Sequence, residues 1–123
     1  MLEYEEDFVN EEVVDFEIEG RKFKYKPTTA GNENAWVNEY IEIINGKPIQ
    51  NLAKLNECKI RNLMDVPYSQ EMIQKIIGIN KEWKDLNDKD KWKLLSQLKP
   101  GTFDKIIIKI NGIDNSNTDV KKN

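Results

Sequence analysis

The sequence contains no histidine. This removes the side chain most used for general acid–base work near neutral pH and for binding transition metals. It also excludes Ser-His-Asp and Cys-His arrangements. A single cysteine, Cys58, excludes an intramolecular disulfide and a Cys-rich zinc site. Cys58 lies inside a helical pattern, where a lone thiol reads as a small packed residue and not as a nucleophile. The six glycines stand apart at turns, with no phosphate-binding loop and no dinucleotide fingerprint. No apolar run approaches the roughly 20 residues that span a bilayer. The N-terminus, Met1-Leu2-Glu3-Tyr4-Glu5-Glu6-Asp7, is acidic where a signal peptide is basic. Together these absences predict a soluble, non-enzymatic protein of a reducing cytoplasm, with no membrane segment, metal, cofactor or catalytic residue.

What is present bounds the rest. The 123 residues suffice for one core. A third of them are charged and the formal net charge is −3, whereas a general nucleic-acid binder carries a basic excess to neutralise phosphates. Most carboxylates fall in the first 19 residues or at helix starts, a solvated distribution with no apolar pocket around any pair. The run Asp114-Asn115-Ser116-Asn117 lacks the central glycine and closing glutamate of a calcium loop.

Residues 1–13 show neither a helical nor a strand period and read as an acidic flexible arm. Residues 14–26 alternate apolar and charged side chains about Gly20. With Gly20-Arg21 at the centre of a type II′ turn, Ile18 pairs with Phe23 and Phe16 with Tyr25 on one face. Glu19 then meets Lys22, Glu17 meets Lys24, and Asp15 meets Lys26 on the other. Pro27 ends the second strand because it has no N–H to donate.

Helical spacings follow. Trp36, Val37, Tyr40, Ile41 and Ile44 predict a helix over about 32–44, stopped by Asn45-Gly46-Lys47-Pro48. Asn51 caps a second, marked by Leu52, Leu55, Ile60, Leu63 and Met64. Ser69 and Gly78 bracket a third, with Met72, Ile73, Ile76 and Ile77. Asn80 precedes a turn carrying Trp83 and Leu86, and Asn87 caps a helix with Trp92, Leu95 and Leu98. Thr102 is expected to cap the last helix, through Phe103, Ile106, Ile107 and Ile110 to Gly112. Residues 113–123 read as a disordered polar tail. The expectation is an α+β fold: one globular domain over 14–112, with one N-terminal β-hairpin packed on a bundle of about four to five short helices over 32–112.

An isolated hairpin is marginal in water, so its apolar face needs this cover, which makes the charged stretch 16–27 scaffold. Function must then lie elsewhere. The lysines of 81–109 interleave with Trp83 and Trp92, but Asp85, Asp88 and Asp90 dilute their field. Lysine without arginine is also a poor bidentate reader of phosphates. The better reading is a protein partner, with exposed aromatics as anchors. The candidates are Tyr4, Phe8 and Val9 on the arm, and Trp83 and Trp92 on the helices.

The order of these features has a family likeness. A charged arm leads into "IEGRKFKYK", then "TTAGNENAWVNEYI", "LNECKIRNLMDVP", "KEWKDLNDKDKWKLLSQLKP" and "FDKIIIKI". Over roughly 14–112 this layout resembles the small tail assembly chaperones of long-tailed phages. The resemblance implies a viral tail assembly factor working in the host cytoplasm. Such a protein binds the long, largely helical tape-measure protein and keeps it soluble until the tail tube forms around it. The resemblance rests on layout, so no residue role is carried over from the family. A tail or baseplate subunit retained in the virion is one alternative, and a nucleic-acid-binding regulator is a second. A homo-oligomer is left open.

Overall fold

The alternation in 14–26 forms a hairpin as expected, but with its turn one residue earlier. The computed structural model describes residues 2–10 and 12–118. Strands β1 (Val14–Ile18) and β2 (Arg21–Tyr25) pair antiparallel with Phe16 opposite Phe23 and Glu17 opposite Lys22. The central turn residues are Glu19 and Gly20, at φ 52° and 80°. Positive φ at both positions is the type I′ turn, whose twist matches the strands. The expected Gly20-Arg21 turn, with Ile18 against Phe23, is therefore corrected by two positions along the partner strand. A shift of two keeps every side chain on its face. Phe16, Ile18, Phe23 and Tyr25 remain the buried set, and acid still meets base at Asp15–Lys24 and Glu17–Lys22. The observed register also stacks Phe16 on Phe23, with ring centroids 5.0 Å apart.

Helix α1 (Ala30–Tyr40) starts at a capping box in which Thr29 and Asn32 exchange side-chain and backbone hydrogen bonds. It ends before the point its spacing predicts. Ile41–Ile44 is a strand, β3, joined through Asn45-Gly46 to a second strand, β4 (Lys47–Gln50). Asn45 and Gly46 sit at φ 53° and 76°, a second type I′ turn. What read as a helix stop is thus the centre of a second hairpin, and β-branched Ile41, Ile43 and Ile44 favour its strand.

Helix α2 (Leu52–Lys59) is capped by Asn51, as expected, but is shorter. After a 3-10 turn at Ile60–Asn62 the chain straightens into β5 (Leu63–Asp65), which joins the first sheet in the order β1-β2-β5. The tertiary demand of the open β2 edge overrides the helical spacing of Leu63 and Met64. Helices α3 (Gln70–Ile77) and α4 (Asp88–Leu95) start at Ser69 and Asn87 as read, and Gly78 closes α3 at φ 74°. Trp83–Asp85 is a 3-10 turn. Helix α5 runs from Pro100 to Thr118. Proline suits its first position, so Thr102 lies inside the first turn and is not the cap.

Two hydrophobic clusters result. The larger packs Phe16, Phe23 and Leu63 of the sheet against Ile73, Leu95 and Ile106 of the helices. The smaller joins α1 to α2 through Trp36, Tyr40, Leu55 and Cys58. The α+β expectation holds, with a second hairpin and a third strand added.

Helix α5 does not stop at Gly112. Residues 113–118 are helical, so the tail expected there belongs to the folded body; residues 119–123 lie outside the described ones. Asp114 explains the continuation. Its carboxylate is buried and accepts from the Tyr25 hydroxyl and the Thr28 N–H, both at 2.8 Å, and from Lys59 Nζ at 3.0 Å. The Tyr25 proton is committed to Asp114, so the Thr28 hydroxyl donates to the Tyr25 oxygen, 2.7 Å away. Lys59 also donates to Asn111 Oδ1 at 2.8 Å, and Asn111 Nδ2 donates to Asn56 at 3.3 Å. This network ties α2, with its small cluster, to the sheet and α5. Burial, with the Asp114 carboxylate adding to it, raises the Tyr25 pKa far above the ordinary value for tyrosine, so the hydroxyl stays protonated.

Candidate functional site

The five residues expected to hold a partner do not form one surface. Trp83 is only 4% exposed, and its indole N–H donates to the Leu63 carbonyl at 2.7 Å. It closes the outer side of β5, with Lys91 Nζ 5.2 Å from its ring centre. Trp92 is half-buried, packed on the larger cluster with its ring edge-on to Phe103 at 5.8 Å. The anchor role read for Trp83 is thereby corrected: a tryptophan spends its area inside when its N–H finds a buried acceptor. Trp92 likewise spends part of its surface on the core. On the arm, Tyr4 and Phe8 are exposed and Val9 is half-buried, around a 3-10 turn at Glu5–Asp7. The Asn10 backbone N–H donates to the Asn117 side-chain Oδ1 at 3.1 Å and joins the arm to the end of α5.

The second hairpin offers a surface that helical spacing had hidden. Its strands pair Ile43 with Pro48, Ile44 with Lys47, and Glu42 with Ile49. Ile43 is 68% exposed and Leu52, just after β4, is 63% exposed; Ile44 and Ile49 are nearly half exposed. Ile43 and Pro48 share one face, Ile44 and Ile49 the other, so apolar groups meet solvent on both sides. Exposed apolar side chains gathered on one element mark interaction sites more than single scattered ones do.

The two edges of this hairpin differ. In a two-residue turn the flanking pair, Ile44–Lys47, is hydrogen-bonded, so the backbone groups of Ile43 and Pro48 point outward. Pro48 has no N–H to offer, and Lys47 places a charge beside it, which blunts the β4 edge. The β3 edge keeps the Ile43 N–H and carbonyl available for an added strand. The local signal was in the sequence: Asn-Gly between "IEII" and "KPIQ" is the strongest short-range hairpin mark.

One cleft, of about 610 Å³, runs along β5. Lys24 and Lys84 line it together with Asp65 and Glu82, so it carries no field of one sign. Tyr68 forms part of its wall. The Tyr68 hydroxyl is buried without a hydrogen-bond partner, and that burial raises its pKa. Among the described residues no group of three or more acidic, cysteine or histidine side chains is placed to hold a metal ion. No helix among them is long and apolar enough to cross a membrane.

No protein-family model, curated protein or solved structure matches the chain.

Proposed function

We propose that the chain is a non-enzymatic assembly factor that holds an apolar segment of a protein partner against its second hairpin. The observation that supports this most is the exposure of Ile43, Ile44 and Ile49 on the second hairpin, with Leu52 exposed at the start of α2 just after it. Burying such side chains against a partner removes apolar surface from water at roughly 25 cal/mol per Å². A helical partner pairs its own backbone groups, so it docks through apolar side chains on its face and not through the β3 edge. Tyr4 and Phe8 on the arm supply further apolar area.

The likeness to phage tail assembly chaperones gives the partner its class. It is a long, largely helical tape-measure-like tail protein, kept soluble in the host cytoplasm during virion assembly. A client of that kind exposes long apolar helix faces before the tube encloses it.

The test is co-expression with the long helical tail protein of the same virus. The unmodified chain should raise the client's soluble fraction and co-purify with it. The variant Ile43→Ser/Ile49→Ser should stay folded by circular dichroism and lose that effect. Full solubilisation by the variant would remove the hairpin from the reading. Presence of the chain in purified, finished particles would replace the chaperone reading with a retained tail subunit.

A further inference from the structure

The chain holds two Asn-Gly dipeptides, Asn45-Gly46 and Asn111-Gly112, and the fold treats them in opposite ways. In Asn-Gly the backbone nitrogen of glycine reaches the preceding side-chain amide with least hindrance, because glycine has no Cβ. By local chemistry alone the two sites are equal.

At the hairpin tip Asn45 and Gly46 are both exposed. Neither the Asn45 side chain nor the Gly46 N–H enters a hydrogen bond among the described residues. The space where a Gly46 Cβ would sit is open to 4 Å. The hairpin is a separate two-stranded sheet with residues 42–50 all exposed. Two-stranded sheets are marginal by themselves, so opening this one costs little. Attack requires the Asn45–Gly46 peptide to rotate until the Gly46 nitrogen faces Asn45 Cγ, and nothing packed around it resists that rotation.

Asn111-Gly112 lies well inside α5, where the Gly112 N–H belongs to the helical ladder. Asn111 Oδ1 accepts from Lys59 Nζ at 2.8 Å and Nδ2 donates to Asn56 at 3.3 Å. The same rotation there would break the helix and pull Asn111 from the network around Asp114.

We infer that Asn45 is a site of spontaneous deamidation in the folded protein and that Asn111 is protected from it. Hydroxide takes the Gly46 N–H proton, and the nitrogen attacks Asn45 Cγ. The new C–N bond closes a five-membered succinimide while the Cγ–Nδ2 bond breaks and ammonia leaves with a proton from water. Water then opens the ring at either carbonyl, leaving an aspartyl or an isoaspartyl linkage. One water is consumed and one ammonia released, with no oxidant or cofactor. The isoaspartyl product adds a methylene to the backbone of a two-residue turn. That turn can no longer set Ile44 against Lys47, so the apolar hairpin is dismantled as the protein ages.

The whole chain is incubated in mildly alkaline buffer, folded and separately in urea. Peptides covering both sites are followed by mass spectrometry, with isoaspartate read by enzymatic methylation. In the folded chain Asn45 should convert about tenfold or more faster than Asn111, and in urea the two rates should agree within about twofold, because protection comes from local structure. The variant Asn45→Gly, which suits both left-handed turn positions, should lose the fast phase. Equal rates in the folded chain, a faster Asn111, or a folded-state Asn45 that does not convert would each overturn the inference. So would a rate ratio in urea as large as in the folded chain.

Discussion

Removing the Asp114 carboxylate tests the folded role of the residues after Gly112 most directly. The side chain accepts three hydrogen bonds, from Tyr25, Thr28 and Lys59, while 4% exposed. In Asp114→Ala all three donors lose their acceptor together. The Lys59 ammonium stays in a site 9% exposed, with Asn111 as its remaining partner. Breaking a buried ion pair by removing one member costs about 3–5 kcal/mol. The lower end applies, because Lys59 keeps the hydrogen bond to Asn111. With an unfolding entropy of about 2.1 cal/mol/K per residue over 123 residues, a loss of about 3 kcal/mol lowers Tm by roughly 12 °C. Calorimetry reads this, and urea unfolding should show a lower midpoint with an unchanged slope. The double variant Lys59→Met/Asp114→Leu removes both charges and should recover much of the loss. About 1–2 kcal/mol should remain, because Tyr25 and Thr28 still lack an acceptor. An Asp114→Ala protein melting within about 2 °C of the parent would refute the clamp and return these residues to a tail.

Trp83→Ala should destabilise by about 3–5 kcal/mol, the range for emptying a buried aromatic site, while partner affinity per folded molecule stays unchanged; weaker binding at unchanged stability would restore Trp83 as an anchor. Glu39 answers to pH. The Arg61 guanidinium, bonded to it at 2.6 and 2.8 Å, holds its carboxyl below the ordinary 4.5. The folded chain therefore binds fewer protons than the unfolded one near that pH, so the pair stabilises above pH 4.5 and its effect fades as pH falls through the lower folded value. The Glu39 side chain is 49% exposed, which limits the gain to under about 1 kcal/mol. Urea midpoints of Glu39→Gln should lie slightly below the parent's at neutral pH and meet them in acid; a gap that widens in acid would contradict this sign.

The candidate surface was partly legible. Helical spacing placed Trp36, Tyr40 and Ile41 on one face, and that face does pack on α2. Extending the same spacing to Ile44 hid the Asn-Gly hairpin, because a short apolar run satisfies a helical and a strand period alike. The exposed Ile43 and Ile49 were lost with it. Trp83 was legible as an important aromatic but not as a buried one, since its acceptor, the Leu63 carbonyl, lies 20 residues earlier in the chain.

Features that depend on near neighbours along the chain were readable from the residues alone. Alternation about Gly20 specified a hairpin and its buried face; Ser69, Asn87 and Gly78 specified helix ends through hydrogen bonds that span a few residues. The missing histidine bounded the chemistry. Features that depend on residues distant in the chain emerge only in the folded packing. Leu63–Asp65 became a strand because β2 offered an open edge. Residues past Gly112 stayed helical because Asp114 meets Tyr25, 89 residues earlier, and Lys59 from α2. Glycine inside a helix costs about 1 kcal/mol, less than the roughly 3–5 kcal/mol lost when a buried pair such as Lys59–Asp114, two residues on, is broken.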